Sequence, residues 1–131
     1  MKKQFLFAAI ILLSCATKSN AQQTFKEALD DFHYVLAFTY HPMMDDSNFA
    51  PIKERSEKLA AAAEQVQNFF NKSDLKGGLD KSVEKLTEQC EALDEVIKKN
   101  ASDEVIRVRL DVIHTGFHEL EKLYHSVTSE K

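Results

Sequence analysis

The sequence predicts an all-α fold, an antiparallel up-down-up-down four-helix bundle. Three observations carry that expectation. Only three glycines and two prolines occur in 131 residues. Apolar residues recur at alternating spacings of three and four, which puts them on one face of a helix. Short polar breaks divide these stretches into four.

A targeting segment precedes the domain. Lys2 and Lys3 form a positive start, Phe5 to Leu13 an apolar run too short to span a bilayer as a helix, and Ser19-Asn20-Ala21 a small-residue cleavage site. Residues 1–21 therefore read as a signal peptide and 22–131 as one four-helix-bundle domain. Leu12-Leu13-Ser14-Cys15 also fits a bacterial lipobox, so the alternative is a lipoprotein anchored through Cys15. Either route leads to the periplasm, the exterior or the membrane surface. No transmembrane span is expected in the mature form.

The first helix is expected from about Thr24 to His41, with Phe25, Leu29, Phe32, Leu36 and Thr39 or Tyr40 facing inward and Pro42 ending it. Met43 to Phe49 read as a polar loop in which Asp45, Asp46, Ser47 or Asn48 caps the next helix. The second helix starts near Phe49 to Pro51, where proline is tolerated, and uses Ile52, Leu59, Ala63, Val66 and Phe70. Ser73 to Gly78 are the clearest break. The third helix carries Leu79, Val83, Leu86, Cys90, Leu93 and Ile97, a seven-residue repeat. The fourth is capped by Ser102, has Asp103 and Glu104 at its positive end, and buries Ile106, Leu110, Ile113, Phe117, Leu120, Tyr124 and Val127.

Charge and cysteine usage narrow the function. Loss of residues 1–21 removes Lys2, Lys3 and Lys18 and no acid, which leaves 14 basic against 21 acidic residues and a formal charge of −7. Such a surface argues against nucleic acid and anionic lipid as partners. Cys90 alone remains after processing, so no intramolecular disulfide forms, and its apolar register points to a buried, inert thiol.

The histidines are the chemical signal. In Ile113-His-Thr-Gly-Phe-His118 two imidazoles lie one helical turn apart, a spacing of about 5–6 Å that lets both reach one metal ion. His114, His118, Glu121 and His125 each follow a core position by one and form a stripe beside the apolar seam. His33 follows Phe32 in the same way on the first helix. With the outer ends of the first and last helices flush, His33 faces the His114 to His118 turn. The expected site is His33, His114 and His118, completed by water or Glu121, with His41 one to two turns away. Imidazoles with few hard carboxylates suit copper, zinc or nickel. His125, near the helix end, reads as structural.

Motifs for other chemistry are missing. There is no Cys-x-x-Cys-His, no glycine-rich phosphate loop and no zinc-protease pattern after His118-Glu119. The Glu-x-x-His unit of di-iron bundles is also absent, and enzyme activity is not expected.

Signal, length, the first-helix segment Phe32-His-Tyr-Val-Leu-Ala-Phe-Thr-Tyr-His41-Pro and the last-helix segment Ile113 to His118 together resemble small secreted bacterial envelope four-helix-bundle proteins. The shape is also similar to the b-type cytochrome bundles, where a methionine on the first helix and a histidine on the last bind haem. Here no methionine precedes Met43 in the mature first helix, and Phe25, Phe32, Phe117 and Tyr124 fill the seam. The expected function is therefore binding of a transition metal ion (copper, zinc or nickel) in the envelope. The alternatives are a non-enzymatic interaction or stress protein whose partner is another envelope protein, resting on Phe38, Phe49 and Phe69 as an exposed apolar patch, and, less favoured, a haem-binding electron-transfer bundle.

Overall fold

A computed structural model describes residues 24–129, and in these the chain forms four helices with no strand: α1 (Phe25–Asp46), α2 (Ala50–Asn71), α3 (Leu79–Lys98) and α4 (Asp103–Ser129). The signal-peptide and lipobox expectations concern residues outside these. Each helix packs on the next, and α4 returns against α1 to close the four-helix bundle.

The helix starts follow the capping chemistry. Thr24 Oγ1 accepts from the Glu27 N–H at 3.2 Å while Glu27 Oε2 accepts from the Thr24 N–H at 2.6 Å, satisfying two end donors reciprocally. Asn48 Oδ1 accepts from the Ala50 N–H ahead of α2, whose first turn contains Pro51. Ser102 Oγ accepts from the Val105 N–H at the start of α4.

Pro42 does not stop α1, contrary to the sequence expectation. The helix runs one turn further to Asp46 and ends at Ser47, in the left-handed region with φ 51°, where the Asn48 N–H donates to the Pro42 carbonyl at 3.0 Å. A proline inside a helix costs about 3 kcal/mol. Here the extra turn carries Met43 into the core, fully buried in register with Leu36 and Tyr40, and burying such a side chain returns about 1.5–3 kcal/mol. The expected loop from Met43 to Phe49 thus shrinks to its last three residues.

The core is the expected one in most particulars. Phe25, Leu29, Phe32 and Leu36 of α1 meet Ile52, Leu59, Ala63 and Val66 of α2, Leu79, Val83, Leu86, Cys90 and Leu93 of α3, and Ile106, Leu110, Ile113, Phe117 and Leu120 of α4. Phe70, Ile97, Tyr124 and Val127 are only partly buried at its ends. Phe49 is buried rather than exposed, with Arg107 and Lys53 over its ring at 5.1 and 5.8 Å, and Phe69 is half-buried beneath Lys72. Phe38 alone of that trio is exposed, and Arg55 lies over it at 4.1 Å. Cations therefore cover the three rings that the sequence suggested as an apolar patch.

One buried polar contact was not foreseen. Ser56 of α2 donates to Asp94 of α3 at 2.7 Å, and Lys98 reaches the other oxygen of the same carboxylate at 2.6 Å. Burial pushes the Asp94 carboxyl up, but the hydrogen bonds from Lys98 and Ser56 outweigh it and hold the group below its ordinary value.

Helices α1 and α4 approach less closely than consecutive helices do. Bulky rings stand between them: Phe32 against Phe117 at 5.0 Å and Phe25 against Tyr124 at 5.5 Å. This wider seam supports the histidines.

Candidate metal centre

His114 and His118 project from one side of α4 because each follows a core residue, Ile113 and Phe117, by one position. Their spacing of four stacks them, and the two Nε2 atoms face each other at 3.1 Å. On its other edge, His118 Nδ1 lies 2.9 Å from Glu121 Oε2, one turn further along the helix.

Hydrogen-bond logic assigns the protons in the neutral pair. An ionised carboxylate only accepts, so His118 carries its proton on Nδ1 and donates it to Glu121. Its Nε2 is then a lone pair, and His114 donates Nε2–H to it. The arrangement ties one imidazole to a carboxylate and aims its free nitrogen at the second imidazole, as carboxylate–histidine units do behind metal ligands.

His33 of α1 completes the group. Its ring packs edge-on to His118 with centroids 5.5 Å apart and rests on Phe117 at 5.2 Å. His33 Nδ1 lies 3.8 Å from Glu121 Oε1, so the Glu121 carboxylate stands between the two histidines. Tyr40, also from α1, stacks flat on His114 with centroids 3.7 Å apart and planes 4° from parallel. Its hydroxyl donates to Asp111 Oδ1 at 2.8 Å.

The structure thus brings together His33, His114, His118 and Glu121, four of the five residues singled out from sequence. His41 stands apart, mostly exposed, with its Nδ1 3.9 Å from Asp45 on its own helix. His125 contacts Tyr124 and lies on the exposed face. Tyr40 and Asp111 are the members that sequence reasoning missed. The spacing places Thr39 or Tyr40 on the inward face of α1, and a residue read as core hides any part it plays at the core's edge.

Electrostatics set the character of the pair. Burial, with His118 beside it, holds His114 below the ordinary imidazole value of 6.5, despite the opposing pull of Asp111. Burial and the hydrogen bond to Asp111 push the Tyr40 phenol up to about 12, so it stays a donor. Cys90 takes no part: burial in the core pushes its thiol up to about 12, which leaves it protonated and inert.

Among the described residues no three His, Cys, Asp or Glu side chains already converge on one metal position. What is present is a hydrogen-bonded pair of imidazole nitrogens. Metal–nitrogen bonds of about 2.0–2.1 Å place two nitrogens about 2.9 Å apart at a right angle and about 3.3 Å apart in a tetrahedron. The 3.1 Å between the Nε2 atoms falls between these. No helix among the described residues is long and apolar enough to cross a membrane. Comparisons with protein-family models, with curated proteins and with solved structures found no match to this chain.

Proposed function

We propose that this protein is a transition-metal-binding four-helix bundle of the cell envelope, carried there by its leading segment. The observation that supports it is the His114–His118 pair, with its Nε2 atoms 3.1 Å apart and His118 oriented by Glu121. A divalent ion held beside the pair takes both Nε2 lone pairs, and the proton that His114 carries on Nε2 moves to its Nδ1, so the neutral pair binds without net proton release. Glu121 acts as the carboxylate that orients His118. His33, nearly half exposed, has room to swing onto the metal as a third nitrogen. Neutral imidazoles without thiolate favour copper(II) over nickel(II) and zinc(II) in affinity. The rings that fill the α1–α4 seam favour a bare ion over haem.

Titration of the purified protein with copper(II), nickel(II) and zinc(II) at neutral pH tests this reading. One equivalent should bind at micromolar affinity or tighter, copper(II) tightest. The His114→Ala/His118→Ala double variant should keep its helicity and lose the site. A double variant that still takes up metal, or a native protein that takes up none, overturns the proposal.

A second reading, an interaction module without a ligand, draws on another face of α4. Val108 and Val112 are 54% and 47% exposed on the side turned toward α3, beside Ala92, and Val105 one turn earlier is 40% exposed. Exposed valines grouped in this way are a feature of partner surfaces.

A further inference from the structure

Tyr40 stands in an arrangement that packing alone does not require. Two neutral aromatic rings prefer offset or edge-on contact to a parallel face-to-face stack. Tyr40 and His114 nevertheless lie 3.7 Å apart and within 4° of parallel. Such a stack becomes favourable when one ring is electron-poor, because an electron-rich phenol face attracts positive charge. An imidazole bound to a divalent ion is such a ring. The phenol is itself held from two sides: it is 9% exposed within α1, and its hydroxyl is tied to Asp111, one turn before His114 on α4.

From this geometry we propose that Tyr40, with Asp111, is the positioning clamp of the metal site. The inference rests on the metal-binding reading above. The flat stack fixes the plane of the His114 imidazole. The hydrogen bond to Asp111 fixes the phenol, so one helix carries both the ligand and the anchor of its clamp. His114 is then left with the orientation that aims Nε2 at His118. Without the clamp it has to be ordered at the moment of binding, which weakens affinity. A second effect acts in the same direction, since the phenol face stabilises the metal-bound imidazole more than the free one.

The test uses zinc(II) alone, titrated against a chromogenic chelator, with the ring-proton NMR spectrum of the metal-free protein alongside. Tyr40→Leu keeps the site apolar and filled but removes the ring. It should bind zinc(II) about tenfold or more weakly, the loss typical when a group that orients a ligand is removed. Tyr40→Phe keeps the stack but loses the hydrogen bond to Asp111, so it should weaken zinc(II) several-fold, as Asp111→Ala does, and less than Tyr40→Leu, whereas a purely space-filling role leaves all three proteins alike. Asp111→Ala, at an exposed position, should weaken zinc(II) several-fold and carries the test if Tyr40→Leu does not fold. Native affinity in both Tyr40→Leu and Asp111→Ala overturns the clamp, as does a Tyr40→Phe variant no better than Tyr40→Leu. If the native protein binds copper(II) but not zinc(II), the same variants are titrated with copper(II). If it binds none of copper(II), nickel(II) and zinc(II), the metal reading fails, and the clamp is decided in the metal-free spectrum. The His114 ring protons should be shifted upfield by the phenol in the native protein and not in Tyr40→Leu; absence of that shift from the native spectrum refutes it.

Discussion

At His114 burial, a neighbouring imidazole and a carboxylate act on one ring. The first two win, and the folded protein holds the ring more readily neutral than the unfolded chain does. Between the lowered folded value and 6.5 the unfolded chain therefore carries more protons, and stability rises with pH across that window. The contribution is fully present above 6.5 and is lost as the pH falls toward and below the folded value. His118 and Asp111 on its own helix and Tyr40 of α1 lie beside His114, and the more distant His41 and His33 of α1 also act on it through their charge. Of these, only Asp111 opposes the loss in acid. Metal-free protein should therefore unfold at lower urea concentration at pH 5.5 than at pH 7.5. His114→Gln should show a shallower decline. An equal decline in both proteins assigns the acid sensitivity to other groups.

At the scale of the elements, the break between α2 and α3 has a backbone reason. Gly77 and Gly78 both have φ 82°, a region that costs a side-chain-bearing residue about 1–2 kcal/mol. A Cβ on Gly78 meets open space, whereas one on Gly77 lies 2.5 Å from Val127 Cγ1 at the far end of α4. Gly77→Ala should therefore destabilise more than Gly78→Ala, in a comparison of denaturant midpoints, and it should loosen the end of α4. Equal losses indicate that Val127 moves aside without cost.

At the scale of the molecule, Phe117 joins the core to the candidate site. It is fully buried against Phe32 at 5.0 Å, and the rings of His33 and His118 lie over it at 5.2 and 5.7 Å. Phe117→Ala should cost about 3–5 kcal/mol by removing a large ring from a close-packed interior. The loss should appear as a lower denaturant midpoint with the helices still formed at zero denaturant. A cost under about 1 kcal/mol means that the α1–α4 seam collapses to fill the space.

The helices, their main caps and their inward faces were legible in the sequence, because helical periodicity and capping act between residues at most a few positions apart. Phe32, Leu36, Leu110 and Phe117 could be assigned inward from spacing alone. The turn that carries α1 past Pro42 could not, because it depends on the space that the other helices leave for Met43. Phe49 is buried in the core cluster built from all four helices, with Arg107, distant in sequence, over its ring. The pairing of His114 with His118 was likewise local, a matter of four residues along one helix. The sequence by itself thus determined a four-helix class, a core and a histidine pair. Only the tertiary structure decided that His33 packs edge-on to His118 and that Tyr40 lies flat on His114 with its hydroxyl on Asp111, since these contacts depend on how α1 is placed against α4, which periodicity leaves open.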